Sequence, residues 1–241
     1  MNDVTIWIMI EVILIFLVLS IIVAAQVGLA NDLPDIEKFA DAEDINTGDI
    51  LGVGYRHCFA WFVTAWSFSV WTHTGIAWRD PVTNELFVLE AAYYDSPKYR
   101  GVFRIPFDQW IRINKNSYMC HLKLRYTGDG DTHKISENKI NGVDANKMSD
   151  IFHEFEQIKI LDSLNYKWYR FLRNEPYVEE TLDRHFVCYE ISILMLQRMG
   201  IYAKKKRCSS HFARDLIWRH IEMEPGYVYE DPVLIKFQRV F

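Results

Sequence analysis

The chain begins with a nearly unbroken apolar run: from Val4 to Leu29 almost every residue is Ile, Leu, Val, Phe, Met or Ala, with Glu11 the main interruption. A helix of about 26 residues is long enough to cross a ~30 Å hydrocarbon core, so residues 1–30 are predicted to form a transmembrane anchor. The competing reading is a cleaved signal peptide, with Val23-Ala24-Ala25 as a small-residue cleavage site; the lack of Lys or Arg ahead of the run favours a retained single-pass anchor. Lys38 is the one basic residue near the span, so its orientation stays undetermined. Residues 31–46 are acidic and contain Pro34, as a tether would, and a folded domain is expected over 47–241.

Within that domain the period of the pattern changes. Asp49–Val53, Trp71–Trp78, Leu86–Ala91 and Val102–Ile105 read as strands. Met119–Tyr126 alternates Cys120, Leu122 and Leu124 with His121, Lys123 and Arg125, as a half-buried strand does. Asp80-Pro81-Val82-Thr83-Asn84 reads as a turn joining two of the strands. Later the spacing becomes helical: Met148, Ile151, Phe152, Phe155 and Ile158 follow a capping Asp144, a second helix runs from about Arg184 to Met199 and stops at Gly200, and a last one starts behind Ser209 or Ser210. Strands followed by helices predict an α+β fold with an antiparallel sheet packed on helices.

Half of the 241 residues are apolar, enough for one sizeable core. A formal charge of −5 lacks the basic surplus of a nucleic-acid binder. Lys204-Lys205-Lys206-Arg207 is read as a solvated edge and Asp129-Gly130-Asp131 as a turn. Cysteines 58, 120, 188 and 208 show no short paired spacing, which argues against a zinc ribbon or a dense disulfide framework.

Cys188 falls in the first turn of its helix, where unpaired amide donors and the positive dipole end favour a thiolate and can receive an oxyanion. The competing reading is an ordinary core cysteine. His73 lies on a strand, and if the turn sets Trp78 opposite Phe87, Glu90 becomes its diagonal neighbour on the same sheet face, able to orient the imidazole. A slip of one residue would put Glu90 on the other face. His57-Cys58 and Cys120-His121 are poorer candidates because adjacent strand residues diverge. His185 is a secondary base, and Tyr166 and Tyr189 are candidate donors near the thiol or packing residues.

Taken in order, Gly48-Asp49-Ile50, Thr72-His73-Thr74-Gly75-Ile76, Val88-Leu89-Glu90-Ala91 and Phe186-Val187-Cys188 opening a helix that ends at Gly200 resemble the circularly permuted NlpC-type papain-like cysteine hydrolases, which include lecithin:retinol-acyltransferase-like proteins and a poxviral branch. The resemblance implies a permuted papain-like fold, with Cys188 as nucleophile, His73 as general base and acid, and Glu90 as orienting residue. Val187-Cys188-Tyr189 does not match the Asn-Cys-Glu type motif of the acyltransferases, which favours hydrolysis. The expected function is a membrane-anchored thiol hydrolase of an amide or ester bond, in a small molecule, a lipid or a lipid-linked peptide. No metal or organic cofactor is expected, and the expected partners are a lipid bilayer and neighbouring subunits of a membrane assembly, without nucleic acid. The alternative is a non-enzymatic membrane scaffold or structural protein of a viral envelope or capsid, in a virion membrane. The aromatic stretch His57–Trp71 is too short to span a bilayer and reads as an interfacial element or a cleft wall.

Overall fold

A computed structural model of the chain describes residues 11–18, 20, 39–55, 64, 69–94, 100–127, 139–140, 142–156, 187–206, 208, 213–218 and 221–235. Seven strands form one sheet: β1 (Phe39–Ala40), β2 (Ile50–Gly54), β3 (His73–Arg79), β4 (Leu86–Tyr93), β5 (Arg100–Pro106), β6 (Tyr118–Leu122) and, late in the chain, β11 (Val233–Ile235). Their spatial order is β1-β11-β6-β2-β3-β4-β5, antiparallel throughout except for β1 beside β11. Two small ribbons pair β7 (Leu124–Tyr126) with β10 (Tyr227–Tyr229) and β8 (Lys139–Ile140) with β9 (Val143–Asp144). The helices are α1 (Phe107–Ile113), α2 (Ala145–Phe155), α3 (Cys188–Met199) and α4 (Ala213–Ile217), so the architecture is α+β.

Successive strand residues point to opposite faces, and the two faces carry separate cores. Ile50, Ile76, Trp78, Leu89 and Ala91 pack against Met148 and Phe152 of α2, Ile191, Leu194 and Met195 of α3, and Leu216 and Ile217 of α4. Leu51, Val53, Ala77, Val88, Phe103 and Ile105 pack against Phe107 and Trp110 of α1. A helix apolar all round belongs inside, and α3 is buried along nearly its whole length until Gly200 ends it in the left-handed region at φ 77°. Asp144 caps α2, its Oδ1 accepting from the Asn146 and Lys147 amides at 3.0 and 3.1 Å.

The β3–β4 turn fixes the register that matters most. Asp80 Oδ1 accepts from the Val82 and Thr83 amides at 2.8 and 3.2 Å, and Asn84 takes φ 60°. Trp78 therefore stands opposite Phe87 and Gly75 opposite Glu90. The single strand expected over Met119–Tyr126 is instead two, broken at Lys123. The Leu124 amide turns to Asp49 Oδ1 at 2.8 Å, and β7 goes on to pair with β10.

The predicted transmembrane helix requires correction. Among the described residues no helix is long and apolar enough to cross a membrane. Of residues 1–30 the structure describes 11–18 and 20, which are helical, with the apolar side chains of Val12–Val18 exposed. Of the stretch His57–Trp71, Thr64, Ser69, Val70 and Trp71 are described and all are buried, whereas Phe59, Trp61, Phe62, Trp66 and Phe68 lie outside the described residues.

Gly52, at the middle of β2, lets α4 approach the sheet. A Cβ there would lie 2.6 Å from Ile217 Cδ1 and 2.7 Å from Cys120 Sγ, both in buried side chains. Gly52→Ala should lower the unfolding free energy by about 1–3 kcal/mol through overpacking. Chemical denaturation measures this, and a variant as stable as the wild type would mean that α4 withdraws without cost.

Candidate active site

His73 opens β3 opposite Val53, which directs its side chain to the face covered by α1. Glu90 stands opposite Gly75 and shares that face. Gly75 keeps the space between them clear, since a Cβ at that position would meet Val88 Cγ1 at 2.6 Å and Glu90 Cβ at 3.4 Å. Across the diagonal, His73 Nε2 lies 2.7 Å from Glu90 Oε2 with both side chains sealed from solvent. Trp110 of α1 donates its indole N–H to the same Oε2 at 3.0 Å, while Oε1 has no hydrogen-bond partner among the described residues.

Cys188 arrives from the other side of the sheet. Helix α3 packs on the face that carries Ile76 and Trp78, and its N-terminus reaches the end of β3, where Sγ lies 4.0 Å from the Thr72 carbonyl oxygen. Cys188 and Glu90 both act on the His73 imidazole and favour its protonated form. The nucleophile candidate is half-buried, whereas the pair behind it is closed off. Glu190 Oε2 accepts from the Val187 amide at 3.0 Å, which fixes the entry to the helix, and amides of the first turn lack intrahelical partners by construction.

Burial alone pushes the His73 imidazole down. The opposing charges of Tyr55 and Cys188, with the hydrogen bonds to Cys188 and Glu90, outweigh it and hold the pKa well above the ordinary histidine value. Burial also raises the Tyr55 phenol above its ordinary value. The Tyr55 ring lies 5.7 Å from that of His73, and its hydroxyl is hydrogen-bonded to Tyr94, which accepts from Asn114 Nδ2 at 3.3 Å.

The structure thus brings together Cys188, His73 and Glu90. Cys120 is buried, and burial raises its thiol far above the usual range; its neighbour His121 turns the other way to Asp49. Tyr189 is buried in the core with α3. His57, Cys58, Tyr166 and His185 lie outside the described residues. Sequence reasoning missed Trp110, Tyr55 and Tyr94. The weak signal for Trp110 was its place three residues after Phe107, on one face of a helix too short to show a period. Hollows of about 520 and 190 Å³ lie around α1, and neither is lined by Cys188, His73 or Glu90. Among the described residues no cluster of three or more His, Cys, Asp or Glu side chains is gathered to hold a metal ion.

No family model matches the chain, and no curated protein matches it. Among solved structures, the metalloprotein yiiX from Escherichia coli O157:H7 is similar at 14% identity, over 78% of this chain and 97% of that one, with a TM-score of 0.41.

Because the folded-state pKa of His73 is raised, its protonation contributes stability that is fully present below the unfolded value of about 6.5 and is lost as pH rises through the folded value. Wild-type stability should therefore decline over that window. In Cys188→Ala, which removes one of the groups that raise the His73 pKa, the decline should begin at the same pH and be complete at a lower one. Denaturation at a series of pH values checks this, and identical profiles for the two proteins would contradict the pairing of Cys188 with His73.

Proposed function

We propose that this protein is a thiol hydrolase of the circularly permuted papain-like kind, cleaving an amide or ester bond through Cys188, His73 and Glu90. The observation that carries the reading is a single imidazole held between a sealed carboxyl at 2.7 Å and a half-buried thiol at a helix N-terminus. Each member has a distinct place in acyl transfer. The Cys188 sulfur, its proton passed to His73, attacks the substrate carbonyl carbon; a C–S bond forms and the oxygen becomes an oxyanion near the first-turn amides of α3. The imidazolium then gives its proton to the departing amine or alcohol as the C–N or C–O bond breaks, leaving an acyl-enzyme. In the second half His73 takes a proton from water, the hydroxyl oxygen adds to the thioester carbon, and the thiol leaves with the acid product. Glu90 accepts the Nε2 proton throughout, which fixes the tautomer and stabilises the imidazolium.

The ordered resemblance of Thr72–Ile76, Val88–Ala91 and Phe186–Cys188 to the permuted papain-like hydrolases supports the same assignment. Cys188→Ala should abolish labelling by an acyl-type thiol probe at neutral pH with the fold retained, since Ala suits a helix. Glu90→Gln should leave labelling measurable but slow it by about 10²-fold or more, because a neutral amide stabilises the imidazolium less. Labelling that persists at full rate in Cys188→Ala would overturn the proposal and leave a non-catalytic scaffold as the better reading.

A further inference from the structure

We infer that Thr74 and Ser192 form a buried hydroxyl strap that sets the separation between Cys188 and His73, making both positioning residues; the inference rests on the thiol chemistry proposed for that site. Thr74 follows His73 in β3 and so faces the opposite side of the sheet, against α3. Its Oγ1–H donates to Ser192 Oγ at 3.2 Å, joining residues 118 apart in the chain. Ser192 in turn donates to the Cys188 carbonyl at 3.4 Å, one helical turn back. The proton order is fixed: Ser192 has a single hydroxyl proton, and while it goes to Cys188, Thr74 must supply the other bond.

Neither hydroxyl is needed to fill space. Thr74 is 0% and Ser192 1% exposed, within an interface otherwise built from Ile76, Trp78, Ile191 and Met195, where Val and Ala would pack as well. Apolar contact is non-directional and lets a helix slide along a sheet, whereas the directional bond from Thr74 to Ser192 registers the helix against the strand, and the bond from Ser192 carries that register back to the Cys188 turn. The result brackets the base. The sulfur of Cys188 lies beside the carbonyl of Thr72, the carbonyl of Cys188 is tied through Ser192 to Thr74, and His73 stands between those two strand residues. Loss of the strap lets the nucleophile drift from the imidazole, and a displacement of about 1 Å at such a site costs on the order of 10²-fold in rate.

The groups that face the His73 ring are Glu90 from β4, Cys188 from α3 and Tyr55 beyond β2. Neither strap residue is ionisable, so the strap reaches the titration of His73 through geometry alone. The test uses the full chain with Thr74→Val, Ser192→Ala, the double variant and Thr74→Ser. Two readouts are followed: alkylation of Cys188 by iodoacetamide at neutral pH, and the His73 ring titration by NMR. Each of the first two variants should slow alkylation about tenfold or more and move the His73 midpoint down toward the ordinary value of about 6.5, because Cys188 is farther away. The double variant should be no worse than the harsher single, and Thr74→Ser should behave as wild type. Unchanged midpoints, or single effects that add independently, overturn the strap. Should Thr74→Val fail to fold, Ser192→Ala carries the test, since it removes one oxygen from a helix that Ala favours. If wild-type His73 titrates as an ordinary histidine and Cys188 alkylates as an ordinary thiol, the hydrolase reading itself falls and the strap with it, an outcome visible before any strap variant is made.

Discussion

The hydrogen bond between His73 and Glu90 joins two ionisable groups beneath an apolar layer, and much of the surrounding architecture is arranged so that it can exist. Removing one partner of a buried pair costs about 3–5 kcal/mol because the other is stranded without water. The neighbourhood reflects that demand. Gly75 supplies an absent side chain where any Cβ would push β4 away. Helix α1, two turns long, places one indole N–H on the carboxyl oxygen that already receives the imidazole. The β3–β4 turn holds the register by side-chain bonds from Asp80, so that the diagonal between His73 and Glu90 is kept at one spacing.

The fold contains a second sealed pair of the same type, and the comparison clarifies the first. His121 Nε2 lies 2.7 Å from Asp49 Oδ2, and Asp49 also accepts from the Asn46 amide at 2.8 Å and the Leu124 amide at 2.8 Å. Both carboxyl oxygens are engaged with backbone on either side of β2, so this pair staples the start of β2 to the end of β6. Glu90 takes both of its donors on one oxygen, and its histidine sits at a strand end, within reach of a helix that covers the opposite face of the sheet. A structural pair is consumed by backbone donors. The other takes its indole and imidazole contacts on a single carboxyl oxygen.

The parts of this arrangement legible in sequence were those written in local spacing. Asp80–Asn84 announced a turn, and the resulting alignment of Trp78 with Phe87 was enough to place Glu90 on the face of His73. Asp144 and Gly200 marked helix ends through their own backbone preferences. What stayed hidden was long-range. The β1–β11 pairing joins two short segments from opposite ends of the chain, neither with a period of its own. The split between β6 and β7 depends on Asp49 capturing an amide 75 residues away. Trp110 reads as one more core aromatic until β4 and β5 bring Glu90 beneath its indole nitrogen. The N-terminal prediction rests mainly on hydropathy; residues 12–18 are apolar and exposed, yet among the described residues no helix is long and apolar enough to cross a membrane.

That His73 and Cys188 approach from opposite faces has a consequence in time. Strands β2 to β5 are successive neighbours in the sheet, and His73 meets Glu90 across 17 residues within one hairpin. Cys188 lies 116 residues beyond the carbonyl it finally rests against. At a translation rate of about 5–20 residues per second, the hairpin leaves the ribosome on the order of ten seconds before the cysteine does. Closing so long a loop adds little to the entropic cost, which grows only with the logarithm of its length, but it puts the closure last. A nascent chain therefore carries His73 and Glu90 before Cys188 is made, and the three residues come together in a single late docking step rather than by degrees.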